Sequence, residues 1–119
     1  MNSFTNDQYL EIANLSSEEL ELMIGRHLLQ KTSGINEYSD EDAKESYNRL
    51  IKFNSQKIFK RLCEDGVLSV YRQKKIHEGF EVVCAIADVL VGMHGQVPVL
   101  ALSVRLMRYG IDQICLEHH

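Results

Sequence analysis

The hydrophobic residues of this chain recur mostly in steps of three and four, which is the spacing of one face of an α-helix. The longest such series, interrupted by one asparagine, comprises Ala43, Tyr47, Leu50, Ile51, Asn54, Ile58 and Leu62. Acidic residues occupy 40–42, where the dipole of a helix beginning there favours negative charge. The pattern predicts a long amphipathic helix over 40–64.

A second start signal lies at Ser16. Residues 16–19 read Ser-Ser-Glu-Glu, which is a capping box. In such a box the serine hydroxyl accepts a hydrogen bond from the amide three residues on, and the glutamate side chain accepts one from the serine amide. One helical face then carries Leu20, Met23, Ile24, His27 and Leu28. A helix is therefore predicted to begin after Ser16, with a short helix over 7–13 before it.

The most hydrophobic stretch of the chain is 80–107. Only Glu81, Asp88 and Arg105 carry a certain charge within it, and the glycine-containing turn 92–96 divides it into two segments. A helix that is apolar on nearly every side is a buried helix. We therefore expect this stretch to form the hydrophobic centre of the fold.

Two folds are compatible with the pattern. Helices over 72–91 and 98–114, with Gly79 inside the first and allowing a close helix crossing, give an all-α protein. This is a compact bundle of four main helices in which the first two cover the hydrophobic hairpin. The alternative is an α+β fold with a C-terminal β-hairpin at about 80–105, since valine and isoleucine are frequent there.

Composition places the chain among ordinary globular proteins. Its 119 residues, 45% hydrophobic and 25% charged, predict one helical domain over 1–115. The final Leu-Glu-His-His at 116–119 resembles the tail that expression vectors add. We expect a cytoplasmic protein without a membrane span, because the N-terminus lacks a signal-peptide pattern and each apolar segment is short. Three dispersed cysteines predict small buried residues rather than a disulfide framework.

Asp88 is the first candidate for a functional residue. A carboxylate in the apolar run CAIADVLVG is costly to bury without a partner, and Arg105, Arg108 and His94 are the partners closest in sequence. The pattern allows a buried or interfacial ion pair, or an aspartate at a helix edge that faces water. It also allows a general base in a small-molecule site around Asp88.

A set of basic residues forms the second candidate. The candidate basic patch consists of Lys57, Lys60, Arg61, Arg72, Lys74 and Lys75, with Lys52 nearby. Such a patch could contact phosphates, which makes a nucleic-acid-associated regulator using 52–75 an alternative function. The net charge of −4 opposes general attraction to nucleic acid, and charge on the outer face of a bundle is the simpler interpretation.

No segment carries a recognisable catalytic, cofactor-binding or metal-binding motif. The sequence therefore favours a non-enzymatic protein–protein interaction module, that is, an adaptor, regulator or inhibitor that recognises helix faces. The hairpin at 82–107 has more apolar positions than a single helix stripe needs. We therefore expect part of it to lie at an interface, most simply in a homodimer.

Overall fold

The computed structural model describes residues 5–33, 39–64, 68, 71, 73, 79–93, 98–110 and 113. Five α-helices are bounded within these residues, which contain no strand: α1 Asn6–Ala13, α2 Ser17–Ser33, α3 Asp40–Glu64, α4 Phe80–Met93 and α5 Val99–Tyr109. The all-α fold class is thus confirmed. The short helix predicted over 7–13 is observed as α1, so the described residues contain five helices where four main helices were predicted.

The first two helices begin at capping boxes. At Ser16 the hydroxyl accepts a hydrogen bond from the Glu19 amide at 3.0 Å, and the Glu19 carboxylate accepts one from the Ser16 amide at 3.1 Å. These bonds confirm the start predicted for α2. Hydrogen bonding to the backbone amide and then to the side chain of Ser16 lowers the pKa of the Glu19 carboxyl below its usual range. Thr5 and Gln8 form the same arrangement at the start of α1.

Helix α3 has the predicted bounds of 40–64. Its predicted apolar stripe faces the core, with Ala43, Tyr47, Ile58 and Leu62 all buried. The close crossing lies between α2 and α3 at Gly25, where a Cβ atom would approach the carbonyl oxygen of Ala43 to 1.8 Å. Gly79 was the predicted crossing residue, but a Cβ atom there would meet nothing within 4 Å.

Two glycines lie at helix boundaries where the sequence pattern predicts that the helix continues. Gly79 has a φ of 120° and Gly110 a φ of 108°, conformations that an α-helix excludes. The predicted continuous helix over 72–91 is therefore wrong, and α4 begins at Phe80. Likewise α5 follows Pro98 and ends at Tyr109 rather than near residue 114. The alternative β-hairpin at 80–105 is also wrong, since both of its described segments are helical.

A single core joins the helices, and α4 and α5 lie at its centre. Helix α4 contributes Val82, Val83, Ile86, Ala87, Val89 and Leu90, and α5 contributes Ala101, Leu102, Val104, Leu106 and Met107, all of them buried. Packing of α2 on α3 and α5, and of α3 on α4, covers the hairpin within one chain. Among the large hydrophobic side chains described in the hairpin, Val91 is exposed by 50%. The additional apolar positions of the hairpin are thus mostly buried within the chain, and they give little support to an interface there.

Two further features concern the cysteines and membranes. Cys63 is disulfide-bonded and Cys84 is not, while Cys115 lies outside the described residues. The prediction of three unpaired buried cysteines is thus wrong for Cys63. Among the described helices, none combines the length and the apolar composition that crossing a bilayer requires.

Candidate functional site

A cleft of about 380 Å³ opens between α2, α3 and α5. We call it the ion-pair cleft, and define it by its lining residues Glu21, Tyr47, Asn48, Ile51, Ser55, Phe59, Arg105, Leu106 and Tyr109. Helix α3 supplies five of these side chains because 47, 48, 51, 55 and 59 follow one another along the same side of the helix. The cleft therefore lies beside the core stripe of α3, and side chains of α2 and α5 complete its lining.

An ion pair between α2 and α5 lies in this cleft. The Nε atom of Arg105 donates to Oε2 of Glu21 at 2.8 Å, and the two side chains are 23% and 14% exposed. A guanidinium has five N–H donors, and this bond uses one of them. Within the described part of the chain, the other four N–H groups of Arg105 have no hydrogen-bond partner. The cleft thus contains unused donors beside a carboxylate acceptor.

The phenol of Tyr47 lies next to this pair. Tyr47 is only 7% exposed, and no hydrogen bond joins its hydroxyl to another described residue. Burial raises the pKa of Tyr47, the nearby Arg105 charge opposes that rise and the Glu21 charge adds to it. The hydroxyl is therefore protonated at neutral pH and can donate or accept a hydrogen bond.

Two aromatic rings form another part of the cleft wall. The ring centroids of Phe59 and Tyr109 are 6.1 Å apart and their planes differ by 23°, which is a stacked arrangement. Phe59 is buried, whereas Tyr109 is 41% exposed. Leu106 and the half-buried Ile51 extend the apolar surface next to these rings. The cleft combines an apolar wall with polar groups that are already partly removed from water.

The chemistry of this set suits binding. Its charged groups neutralise each other, and its phenol, amide and hydroxyl groups, from Tyr47, Asn48 and Ser55, are neutral at physiological pH. Nowhere among the described residues do three or more His, Cys, Asp or Glu side chains come close enough to hold a metal ion. The arrangement can therefore enclose an apolar group and satisfy hydrogen bonds around it.

Asp88 forms no ion pair with either of its two described candidate partners, Arg105 and Arg108. Asp88 is exposed on α4 and outside the ion-pair cleft, and no ion pair joins it to another described residue. Its carboxylate is close to Cys84 instead. Burial raises the pKa of the Cys84 thiol, and the charges of Asp88 and Glu81 raise it further. Asp88 thus occupies a helix edge that faces water.

The two arginines bind the N-terminal helices. Arg105 pairs with Glu21, while Arg108 donates to the carbonyl oxygen of Ala13 at 2.6 Å and to the Ser17 hydroxyl at 3.4 Å. They lie almost one turn apart on α5, so together they fix this helix against α2 and the junction between α1 and α2. The remaining candidate, His94, lies outside the described residues.

The candidate basic patch is described only in its α3 part. Lys57, Lys60 and Arg61 are exposed on α3, as is Lys52. Arg72, Lys74 and Lys75 lie outside the described residues, so the junction that the sequence pattern indicated is not described as a whole.

Several cleft residues were missed by the sequence analysis. Arg105 was a candidate because it is charged within an apolar segment, but Glu21 resembles any solvated residue of an amphipathic helix. Tyr47 was assigned to the core stripe, and its burial confirms this. The pattern could not indicate that no described residue bonds to its hydroxyl. Tyr109 lies next to the glycine that ends α5, so no periodic pattern could indicate it.

A second groove of about 490 Å³ runs along α2. Its described lining comprises Leu15, Glu19, Leu22, Met23, Arg26, His27 and Gln30, all within one short section of the chain. The ion-pair cleft is the stronger candidate because three helices enclose it and its charged groups are mostly buried.

Comparison of the chain with protein-family models, with curated protein sequences and with solved structures finds no match. A functional proposal therefore depends on the geometry and chemistry of the cleft.

Proposed function

We propose that the protein is a non-enzymatic recognition module that binds another protein through the ion-pair cleft. The supporting observation is the stacked pair of Phe59 and Tyr109 beside the mostly buried pair of Glu21 and Arg105, in one cleft built from three helices. The occupant is an apolar anchor side chain of the partner, with an amide group beside it.

The apolar part of the cleft favours a protein partner. Tyrosine and arginine are enriched among the residues that dominate binding energy at protein interfaces, particularly in pockets that exclude water. The cleft volume of about 380 Å³ is small, and suits one large side chain rather than an extended ligand. Tyr109 is exposed enough to lose further surface to a partner, while the buried Phe59 holds its ring in place.

The polar part of the cleft favours an amide beside the anchor. Glu21 offers a carboxylate acceptor, and Arg105 offers N–H donors that no described residue uses. Because these charges neutralise each other, a charged group on the partner would gain from one and be repelled by the other. An amide is uncharged and both donates and accepts, so it satisfies both sides of the pair.

Site-specific photo-crosslinking in the native host tests this proposal. Asn48 is exposed in the cleft and Asp88 is exposed on α4, outside it. Each is replaced, in separate proteins, by the photo-crosslinking residue p-benzoylphenylalanine. We expect a discrete protein partner to be crosslinked from position 48 and not from position 88. Identical products from both positions, or none from position 48, would contradict the proposal.

A small-molecule site in the same cleft is the second candidate function, and it is favoured by the enclosure of the cleft by three helices. The exposed position of Asp88 gives no support to the small-molecule site that the sequence analysis considered around that residue. Native mass spectrometry of protein purified from its host separates the candidates. A bound small mass that disappears in Tyr109→Ala would favour the small molecule.

A further inference from the structure

The C-terminal half of α3 carries a basic surface. Over 46–63 the chain contains no aspartate or glutamate. The five basic side chains of that stretch are all exposed, and they are Arg49, Lys52, Lys57, Lys60 and Arg61. The acidic residues of the helix lie at its beginning, at 40–42 and 45, and at its last position, 64. We call the five basic residues together with Phe53 the basic surface of α3.

Phe53 lies in the middle of this surface. Its side chain is 76% exposed, more than any other large hydrophobic side chain among the described residues. Successive residues are about 100° apart around a helix, which places Lys60 and Lys57 about 20° and 40° from Phe53, on either side of it. The Nζ atom of Lys52 lies 5.9 Å from the centroid of the ring, which is a cation–π distance. The ring thus lies among cations, and its exposure leaves one of its faces accessible to another planar group.

We propose that the basic surface of α3 binds single-stranded nucleic acid, with one base stacked on Phe53 and the adjacent phosphates contacted by Lys57 and Lys60. The argument is charge complementarity, because a helix segment with five cations and no acidic residue attracts a polyanion. Proteins that bind single strands combine such cations with aromatic rings on which bases stack. Lysine has a long, rotatable side chain with three N–H donors, so it can follow a flexible backbone.

The exposed ring favours a single strand over a duplex. In a duplex each base is stacked between its neighbours, so a protein ring reaches the face of a base only after the strand is opened. Contacts to duplex phosphates would use the lysines and leave Phe53 exposed to water. An unpaired base instead covers the ring of Phe53 while the phosphates beside it meet the lysines.

The same features disfavour a membrane surface as the occupant. A helix that lies in a membrane surface buries an apolar face there, and binding strengthens with the apolar area buried. The apolar stripe of α3 is used within the protein, where Ile58 and Leu62 are fully buried. Among the described residues of α3, Phe53 is the one exposed large hydrophobic side chain. A membrane would therefore gain little beyond attraction to the cations.

Other charges of the chain keep this binding weak. The net charge of −4 opposes a polyanion, although 0.1 M salt screens that repulsion beyond about 10 Å. Arg49 is paired with Glu45 at 2.7 Å, so part of its charge is neutralised. We therefore expect dissociation constants of about 1 to 100 μM, as for non-specific binding at physiological salt.

Fluorescence anisotropy with labelled oligothymidine and oligouridine, each about 20 nucleotides long, tests the proposal. The two probes distinguish DNA from RNA as the ligand. Contacts with two to four phosphates predict that the logarithm of affinity falls with the logarithm of salt concentration, with a slope of about −1 to −3. Lys57→Glu should weaken binding at least about tenfold and make this slope shallower, because a phosphate contact is lost.

Lys44→Glu is the matched control for this charge reversal. Lys44 is exposed on the same helix, about 180° around it from Phe53, and its Nζ atom lies 3.7 Å from the Glu18 carboxylate. The variant makes the same change in net charge outside the basic surface. It should therefore change the affinity for either oligonucleotide less than about threefold.

Substitutions of Phe53 test the stacking. Phe53→Leu keeps an apolar side chain but removes the aromatic ring, so affinity should fall at least about fivefold at every salt concentration, with the slope unchanged. Phe53→Tyr keeps a ring and should bind like the wild type. Circular dichroism confirms that each variant is folded.

Four results would overturn the proposal. The first is no binding of either oligonucleotide by about 100 μM wild-type protein in about 50 mM salt. The second is equal affinity for oligothymidine and for its duplex with oligodeoxyadenosine. The third is an equal effect of Lys57→Glu and Lys44→Glu, or no effect of Phe53→Leu.

The fourth is binding to vesicles of phosphatidylserine and phosphatidylcholine, without binding to oligonucleotides, that Lys57→Glu removes. This result would assign the basic surface to membranes. The ion-pair cleft takes no part in these measurements, so binding of a protein partner and binding of nucleic acid can fail independently.

Discussion

Glu21 and Arg105 are 84 positions apart in sequence, yet their side chains form a 2.8 Å ion pair that joins α2 to α5 inside the candidate cleft. Both side chains are mostly buried, at 14% and 23% exposure. A pair of this kind stabilises the fold less through its own attraction than through the cost of leaving one charge alone. The pair therefore fixes the position of α5 and keeps the cleft neutral.

The first prediction is a double-mutant cycle on this pair. Arg105→Met leaves Glu21 without its partner, and we expect a loss of about 2 kcal/mol in the free energy of unfolding, less than for a fully buried pair. Glu21→Gln should also destabilise. The double variant should recover about 1 kcal/mol relative to the sum of the single losses.

Urea unfolding measures each corner of this cycle. The exposed pair of Glu45 and Arg49 is the control, with side chains 61% and 70% exposed. Its coupling should be no more than about 0.5 kcal/mol, as is usual for such pairs on helices. An equally small coupling between Glu21 and Arg105 would show that the buried pair has no structural role.

The second prediction concerns the phenol of Tyr47. Because no described residue bonds to its hydroxyl, Tyr47→Phe should change the free energy of unfolding by less than about 1 kcal/mol at neutral pH. The raised pKa adds a pH dependence. Above the ordinary tyrosine pKa of 10.0, the unfolded chain releases a proton that folded Tyr47 retains, so stability falls as pH rises.

Tyr47→Phe removes this contribution, so the variant should lose less stability than the wild type between neutral and strongly alkaline pH. Urea unfolding at several pH values measures the difference. A large loss of stability in Tyr47→Phe at neutral pH would mean that the hydroxyl makes a stabilising hydrogen bond. Equal losses of stability in the wild type and the variant at alkaline pH would mean that burial does not raise the pKa of Tyr47.

The third prediction concerns the crossing of α2 and α3. Replacing a helical glycine with alanine ordinarily stabilises a helix by about 1 kcal/mol. At Gly25 the new Cβ atom would lie 1.8 Å from the backbone oxygen of Ala43, so the two helices must move apart. We expect Gly25→Ala to destabilise by about 3 kcal/mol, the upper end of the usual overpacking cost.

Thermal or urea unfolding measures this loss. Gln30→Ala, at an exposed position of the same helix, should stay within about 0.5 kcal/mol of the wild type. If Gly25→Ala were as stable as that control, the two helices could not cross as closely as described.

The fourth prediction is a slow reaction of the Cys84 thiol. Burial and the charges of Asp88 and Glu81 raise its pKa, so less thiolate is present at a given pH than for an ordinary cysteine. Asp88→Asn removes one of these charges and lowers the pKa. Alkylation by iodoacetamide at pH 8 should then be about threefold faster, as expected for a screened charge.

The rate is followed by mass spectrometry of the peptide that contains Cys84, at low and high salt. Salt screens the carboxylates, so the ratio between variant and wild type should shrink as ionic strength rises. A ratio of one at low salt would show that Asp88 does not affect the reactivity of the Cys84 thiol.

The parts of the fold that were predictable are those that local chemistry determines. The capping box at Ser16 and the stripe over 40–64 depend on residues within a few turns of one another. The errors lie at Gly79 and Gly110, where positive φ angles place a helix start and a helix end although the apolar pattern continues. A hydrophobic pattern cannot report whether a glycine uses its left-handed conformation.

The cleft was less predictable than the helices. Arg105 stood out as a charge in an apolar segment, but its partner is a glutamate on an amphipathic helix far away in sequence. Asp88 stood out for the same reason and yet faces water, because one edge of α4 is not covered by the other helices. Whether a charged residue in an apolar segment is buried with a partner depends on how the helices pack. A single sequence does not specify that packing.

The most direct test of the recognition proposal is the affinity of the partner captured at position 48 for wild-type protein and for Tyr109→Ala. Tyr109 is 41% exposed, so its truncation removes cleft wall with little effect on the core. Isothermal titration should show at least about a tenfold loss of affinity in Tyr109→Ala, as for a residue that dominates an interface, and no change in Asp88→Ala. Equal affinity of the wild type and Tyr109→Ala would contradict binding in the cleft.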